Sequence, residues 1–226
     1  MKKRIVMVGT GALGGYIGGN FAHQGFDVTF IDGWKEHLDT IRTTGLELDG
    51  VTAEEKFTVK TDQTVLYDNI GELAKVKPFD IAFVSVKSYD TEQAAKSIKP
   101  YLAPDGYVVS LQNCINEDTI AKVVGADKTL GVIASIISVE LYGPGKIRRM
   151  AAKGGDKHTV FRIGEMNGAI TERVKELAGM FALIDSTKPT DNLFGERWSK
   201  LIQNSMRNGV AASTGLTSGD CDKNQG

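Results

Sequence analysis

Three glycines in the segment Gly9-Thr10-Gly11-Ala12-Leu13-Gly14 have the spacing that holds a pyrophosphate. They follow directly on Lys3-Arg4-Ile5-Val6-Met7-Val8, which reads as a short buried strand, and they open a helix. In that context Gly9 permits the tight turn, Gly11 lets the backbone approach the phosphates, and Gly14 lets the helix lie close on the strand. The helix N-terminus then faces the phosphate charge. The helix ends at Gln24-Gly25, and Asp27-Val28-Thr29-Phe30-Ile31 reads as a second strand closing at Asp32. A carboxylate there, about 20 residues beyond the glycines, is placed to accept hydrogen bonds from a ribose 2'-hydroxyl. Such glycines can also make a plain strand-to-helix turn with no ligand. Strand, spacing, helix and acidic residue together favour a nicotinamide or flavin dinucleotide site.

A second chemical pattern lies near the other end, where helical periodicity runs from 191 to about 212. At roughly 100° per residue, Trp198, Leu201, Ile202, Ser205 and Met206 share one side, and Lys200, Asn204 and Asn208 form a polar stripe on the other. Spacing alone favours a solvated helix face. The content is distinctive: two amides and one amine, without the usual surface carboxylates.

The elements that must position these groups alternate. A helix is expected over 34–43, and a hairpin pairs Leu46–Val51 with Phe57–Lys60 around Asp49-Gly50. The apolar runs at 80–86, 107–111 and 129–136 suit parallel strands buried on both faces, with helices near 91–99 and 116–124 between them. This alternation implies an α/β fold, a doubly wound parallel sheet of the Rossmann type. The turn Gly143-Pro144-Gly145 separates two extended segments, expected to add antiparallel strands at one sheet edge. After a helix at 171–182, Lys188-Pro189-Thr190 marks a boundary between a nucleotide domain over 1–188 and the start of a helical domain over 189–226.

Composition bounds the partners. With 27 basic and 28 acidic residues in 226, the net charge is -1 and no charge block suggests nucleic acid or a membrane surface. No apolar run reaches the length of about 20 residues that spans a bilayer. Lys2, Lys3 and Arg4 begin like a secretory leader, but Asn20, His23 and Gln24 interrupt the apolar run. Cys114 and Cys221 are far apart and lack metal-ligand spacing, so no metal is expected and a reduced, cytoplasmic setting is.

Gly9-Thr10-Gly11-Ala12-Leu13-Gly14, Val86-Lys87-Ser88-Tyr89-Asp90-Thr91, Ser110-Leu111-Gln112-Asn113-Cys114-Ile115-Asn116-Glu117, Gly143-Pro144-Gly145 and the 198–208 helix occur in an order that resembles the ketopantoate reductase family over the whole chain. The resemblance implies reduction of 2-dehydropantoate to pantoate by NADPH or NADH, on the route to pantothenate and coenzyme A. It also implies an all-helical second domain, through which a homodimer could form. By the same resemblance Lys200 is the catalytic lysine, and Lys87 and Asn113 line the nicotinamide and substrate region. Hydride delivery to a keto carbon creates an alkoxide, which a cationic donor must stabilise and protonate. Asn204 and Asn208, one and two helical turns beyond Lys200, would orient the carbonyl and a substrate hydroxyl.

Four departures from the family pattern carry expectations of their own. Cys114 stands where the family has glycine, so either the backbone there avoids positive φ or the loop differs. Asp32 favours NAD, whereas many family members have a basic or neutral residue there to accept the 2'-phosphate of NADP. Arg207 lies where the family tends to be apolar, which hints at another oxo acid or an amino acid as substrate. The sequence stops where the helical domain has barely begun, so the family's catalytic-site glutamate is expected to be missing and the site incomplete. The apolar side of the 191–212 helix is then left for self-association, for packing on the nucleotide domain, or for a longer chain to cover. A dinucleotide-binding module without turnover is the competing reading.

Overall fold

The computed structural model describes residues 3–60, 64–217 and 219–220. The chain runs β1 (Arg4–Val8), α1 (Ala12–His23), β2 (Asp27–Ile31), α2 (Lys35–Thr44), β3 (Leu46–Asp49), β4 (Phe57–Val59), β5 (Thr64–Tyr67) and β6 (Phe79–Val84). There follow α3 (Thr91–Ile98), β7 (Leu102–Ser110), α4 (Glu117–Val124), β8 (Thr129–Ala134), β9 (Val139–Gly143), β10 (Lys146–Arg149), β11 (Phe161–Glu165), α5 (Glu172–Ala182), β12 (Thr187–Pro189) and α6 (Leu193–Thr214).

The main sheet has the order β12-β11-β8-β7-β6-β1-β2-β5. From β5 to β8 it is parallel, in the 3-2-1-4-5-6 arrangement of dinucleotide-binding folds. The sequence explains why. Ile5 and Met7 face a core built with α1, α2 and α5, while Val6 and Val8 face a second core with α3 and α4. Strands covered on both faces read as continuous apolar runs, and burying both faces is what stabilises parallel pairing. In the first core, Phe181 of α5 packs edge-on against Phe21 of α1 at 5.2 Å and against Phe161 at 5.0 Å.

Three expectations change. The segments flanking Gly143-Pro144-Gly145 do not extend the main sheet. They form β9 and β10 of a separate four-stranded sheet, β4-β3-β10-β9, in which β10 pairs with β3 in parallel. Glycines on α1 provide the room: a Cβ at Gly15 would collide with Ile147, and one at Gly19 would come within 2.8 Å of Leu48. The antiparallel strand of the main sheet is instead β11, paired with β8, and β12 lies beyond it at the edge. The β3–β4 hairpin does form, Leu46 opposite Val59, but its link is longer than an Asp49-Gly50 turn and contains a 3₁₀ turn at Ala53–Glu55. Finally, β5 fills the third position of the parallel order although the sequence pattern did not mark it.

Candidate active site

The glycine segment lies between the C-terminal end of β1 and the first turn of α1. Gly9 has φ +97°, a conformation that L side chains rarely adopt, and its N–H donates to the Ile31 carbonyl at 2.9 Å. A Cβ at Gly14 would strike the Gly9 carbonyl oxygen, whereas one at Gly11 would meet nothing within 4 Å. Gly11 therefore faces open space at the N-terminus of α1, where no side chain caps the helix. Uncapped N–H groups there suit an anion.

This open space is a cleft of about 510 Å³ at the carboxyl ends of the parallel strands. Strand order reverses between β1 and β6, the place where open α/β sheets bind ligands. It is lined by Gly9, Gly11, Ala12, Leu13 and Asp32 on one side, and by Ser85, Lys87, Asn113, Ala134 and Lys200 on the other. Thr10 and Gly14 are buried behind it. Asp32 accepts from the Thr10 N–H at 2.6 Å through one oxygen and from the Trp34 N–H at 2.9 Å through the other. Each oxygen has acceptor capacity left for a ribose hydroxyl.

Lys200 comes from α6 and meets the cleft across the sheet ends. Its Nζ donates to Asn113 Oδ1 at 2.8 Å and to the Ala134 carbonyl. Burial pushes this ammonium down to about 8, with Arg197 adding to the effect and Cys114 opposing it. Asn113 does not spend its side-chain oxygen on a local turn; its carbonyl accepts from Asn116 Nδ2 at 2.8 Å, and Gln112 braces the loop from below by donating to the Val86 carbonyl at 2.8 Å. Cys114 takes φ +67°, so the glycine conformation persists without the glycine.

Asn204 is half-buried and Asn208 exposed, about 6 and about 12 Å along the helix axis from Lys200, and neither lines the cleft. Arg207 is exposed on the same helix. Trp198 (56% exposed), Ile202 (56%) and Met206 (68%) remain uncovered, while Leu201 is half-buried. Cys221 lies outside the described residues. Among those residues no helix is long and apolar enough to cross a membrane.

Sequence reasoning missed the anchor of α6. Arg197 is 1% exposed and Glu117 is fully buried; the guanidinium Nε donates to Glu117 Oε1 at 2.9 Å, and Nη2 donates to the Ser110 carbonyl at 3.1 Å. This pair fixes the helix one turn before Lys200. Its only signal in the sequence was an arginine on a helix among apolar residues.

A parallel sheet in this order, a glycine turn under its crevice and a lysine reaching across the strand ends define a Rossmann-type dinucleotide-binding protein. The chain belongs to the ketopantoate reductase PanE/ApbA family, whose family model matches residues 5–165. It is 31% identical over 210 residues to a 2-dehydropantoate 2-reductase of Pyrococcus horikoshii, covering 92% of this chain and 63% of that protein. A crystal structure of a PanE/ApbA family ketopantoate reductase from Ralstonia eutropha JMP134 superposes with a TM-score of 0.78 at 29% identity, covering 96% of this chain and 65% of that one. A D-mandelate dehydrogenase, solved with NADH and anilino(oxo)acetate, shares the fold with a TM-score of 0.75 at 22% identity, over 92% of this chain and 63% of that one. This chain thus spans less than two thirds of the length of each of these proteins.

Proposed function

We propose that this chain carries the dinucleotide site and the catalytic lysine of an NADH- or NADPH-dependent reductase of 2-oxo acids, with 2-dehydropantoate as substrate and (R)-pantoate as product. The observation that carries this reading is the state of Lys200. An ammonium has three N–H donors, and two are committed to Asn113 and Ala134. The third is left for a substrate oxygen in the cleft.

The residues present suit a dinucleotide. Gly11 leaves room where a Cβ would meet nothing, the first turn of α1 would hold the pyrophosphate, and Asp32 would hold an adenosine ribose. When bound, the reduced nicotinamide supplies the hydride. Lys200 stabilises the negative charge that grows on the keto oxygen and then donates its proton to that oxygen, leaving the 2-hydroxy acid. It recovers a proton from solvent. Asn113 holds Nζ in place, and the partial burial that disfavours the ammonium also strengthens its field on the oxygen. Lys87, exposed at the cleft on the same side as Asn113, attracts the substrate carboxylate, while Asn204 and Asn208, which lie outside the cleft, take no part in this reading. In this reading α6 opens a helical unit beyond the nucleotide domain, whose last strand, β12, takes in Pro189.

Oxidation of NADH and NADPH should be followed with a panel of 2-oxo acids, on this chain and on one extended to the length of its relatives. The extended chain is expected to show its highest kcat/KM with 2-dehydropantoate. Oxidation with another oxo acid alone would reassign the substrate, and none with any acid would leave only a binding module.

A further inference from the structure

Thr10, the residue between the first two glycines, is gripped from both sides of its backbone. Its N–H donates to Asp32 Oδ2 at 2.6 Å, and its carbonyl lies 3.0 Å from Nε2 of His37, a residue of α2 with no exposed surface. The other ring nitrogen, Nδ1, accepts from the Gly145 N–H at 2.9 Å. A backbone N–H can only donate, so Nδ1 is unprotonated, and the hydrogen on Nε2 is the one donated to Thr10. The Trp34 ring lies nearly parallel to the imidazole, with centroids 5.3 Å apart and planes inclined by 13°. The Trp34 N–H in turn holds the second Asp32 oxygen at 2.9 Å. Gly145 sits in the turn between β9 and β10, outside the main sheet. One neutral imidazole therefore ties the glycine turn to the second sheet.

We propose that His37 is a positioning residue for the dinucleotide. It donates to the Thr10 carbonyl and fixes the peptide that aims the first turn of α1 at the pyrophosphate. The inference rests on the reading of the glycine segment as a dinucleotide site. Its distinctive content is that the Thr10 contact, rather than the bulk of the ring, governs affinity. The Gly145 contact has a separate task, selecting the tautomer that leaves Nε2 with its hydrogen.

Three variants separate these roles. In His37→Gln the side-chain amide reaches as far as Nε2 and can still donate to Thr10. In His37→Asn the side-chain oxygen sits near the Nδ1 position and can accept only from Gly145. His37→Ala makes neither contact. NADH and NADPH are titrated calorimetrically into each protein, and melting temperatures are recorded alongside. Loss of the Thr10 bond should weaken binding about tenfold in the Asn and Ala variants, with Gln restored to within about threefold of the parent. Equal affinity in all three variants and the parent, or affinity that merely follows melting temperature with Gln as weak as Asn, would overturn the role of His37 while leaving the dinucleotide site standing. If the parent binds neither nucleotide, the dinucleotide reading fails and this inference falls with it.

Discussion

Lys200 Nζ and Asn113 Oδ1 lie 2.8 Å apart although the two residues are separated by 87 positions. The contact joins the last helix to the loop after β7 and sets the lysine over the crevice of the sheet. Replacement of Lys200 by Ala, in a chain extended to the length of its relatives, is expected to lower turnover by on the order of a hundredfold or more. Dinucleotide affinity should stay nearly unchanged. Steady-state kinetics with calorimetry check both; a variant turning over at the parent rate would remove Lys200 from the chemistry.

The lowered lysine value has a pH signature. With Lys200 titrating at about 8, the proton donor is present below that pH and is lost as pH rises through it. Reductase kcat should therefore fall on the alkaline side, and Lys200→Arg should abolish that limb. Stability moves the other way. Between about 8 and the ordinary lysine value of 10.5 the unfolded chain binds more protons, so raising pH across that window favours the folded state. Denaturation midpoints at pH 8 and 10 would show it, less any contribution from other groups common to a Lys200→Met control.

Asp32 predicts a cofactor preference. A carboxylate beside a 2'-phosphate is repulsive, so NADH should bind more tightly than NADPH by about tenfold or more. Because Asp32 also holds the Thr10 and Trp34 N–H groups, Asp32→Arg should move the ratio toward NADPH while weakening both. Equal affinities in the parent protein, measured by calorimetry, would contradict the preference.

The Arg197–Glu117 pair makes a stability prediction. Arg197→Met leaves a buried carboxylate without its partner, a change expected to cost about 3–5 kcal/mol. Urea unfolding gives the number directly. A loss under 1 kcal/mol would mean that Glu117 finds another donor or takes up a proton.

Cys114 predicts a gain. Its φ of +67° carries a penalty that glycine does not, so Cys114→Gly should stabilise the fold by about 1 kcal/mol. An unchanged or lower denaturation midpoint would show that the loop holds this conformation without strain.

The sequence by itself determined the parallel core and the floor of the site. Glycine spacing, the strand before it and the carboxylate after the second strand are local features, and apolar runs such as 80–86 can only be satisfied by burial on both faces. Local pattern also marked α6 and the stripe on which Lys200 lies. The tertiary structure decided everything that depends on which distant surfaces meet. The segments around Gly145 were legible as strands, yet their partner was β3, chosen because glycines on α1 let a second sheet settle there. Of the polar stripe, only Lys200 enters the cleft, because the Arg197–Glu117 anchor fixes the rotation of the helix and carries Asn208 out toward solvent. His37 gave no signal at all. Its two nitrogens acquire meaning only when α2 brings the ring between Thr10 and Gly145, 27 and 108 positions away, since hydrogen bonds of that range follow from packing and not from periodicity.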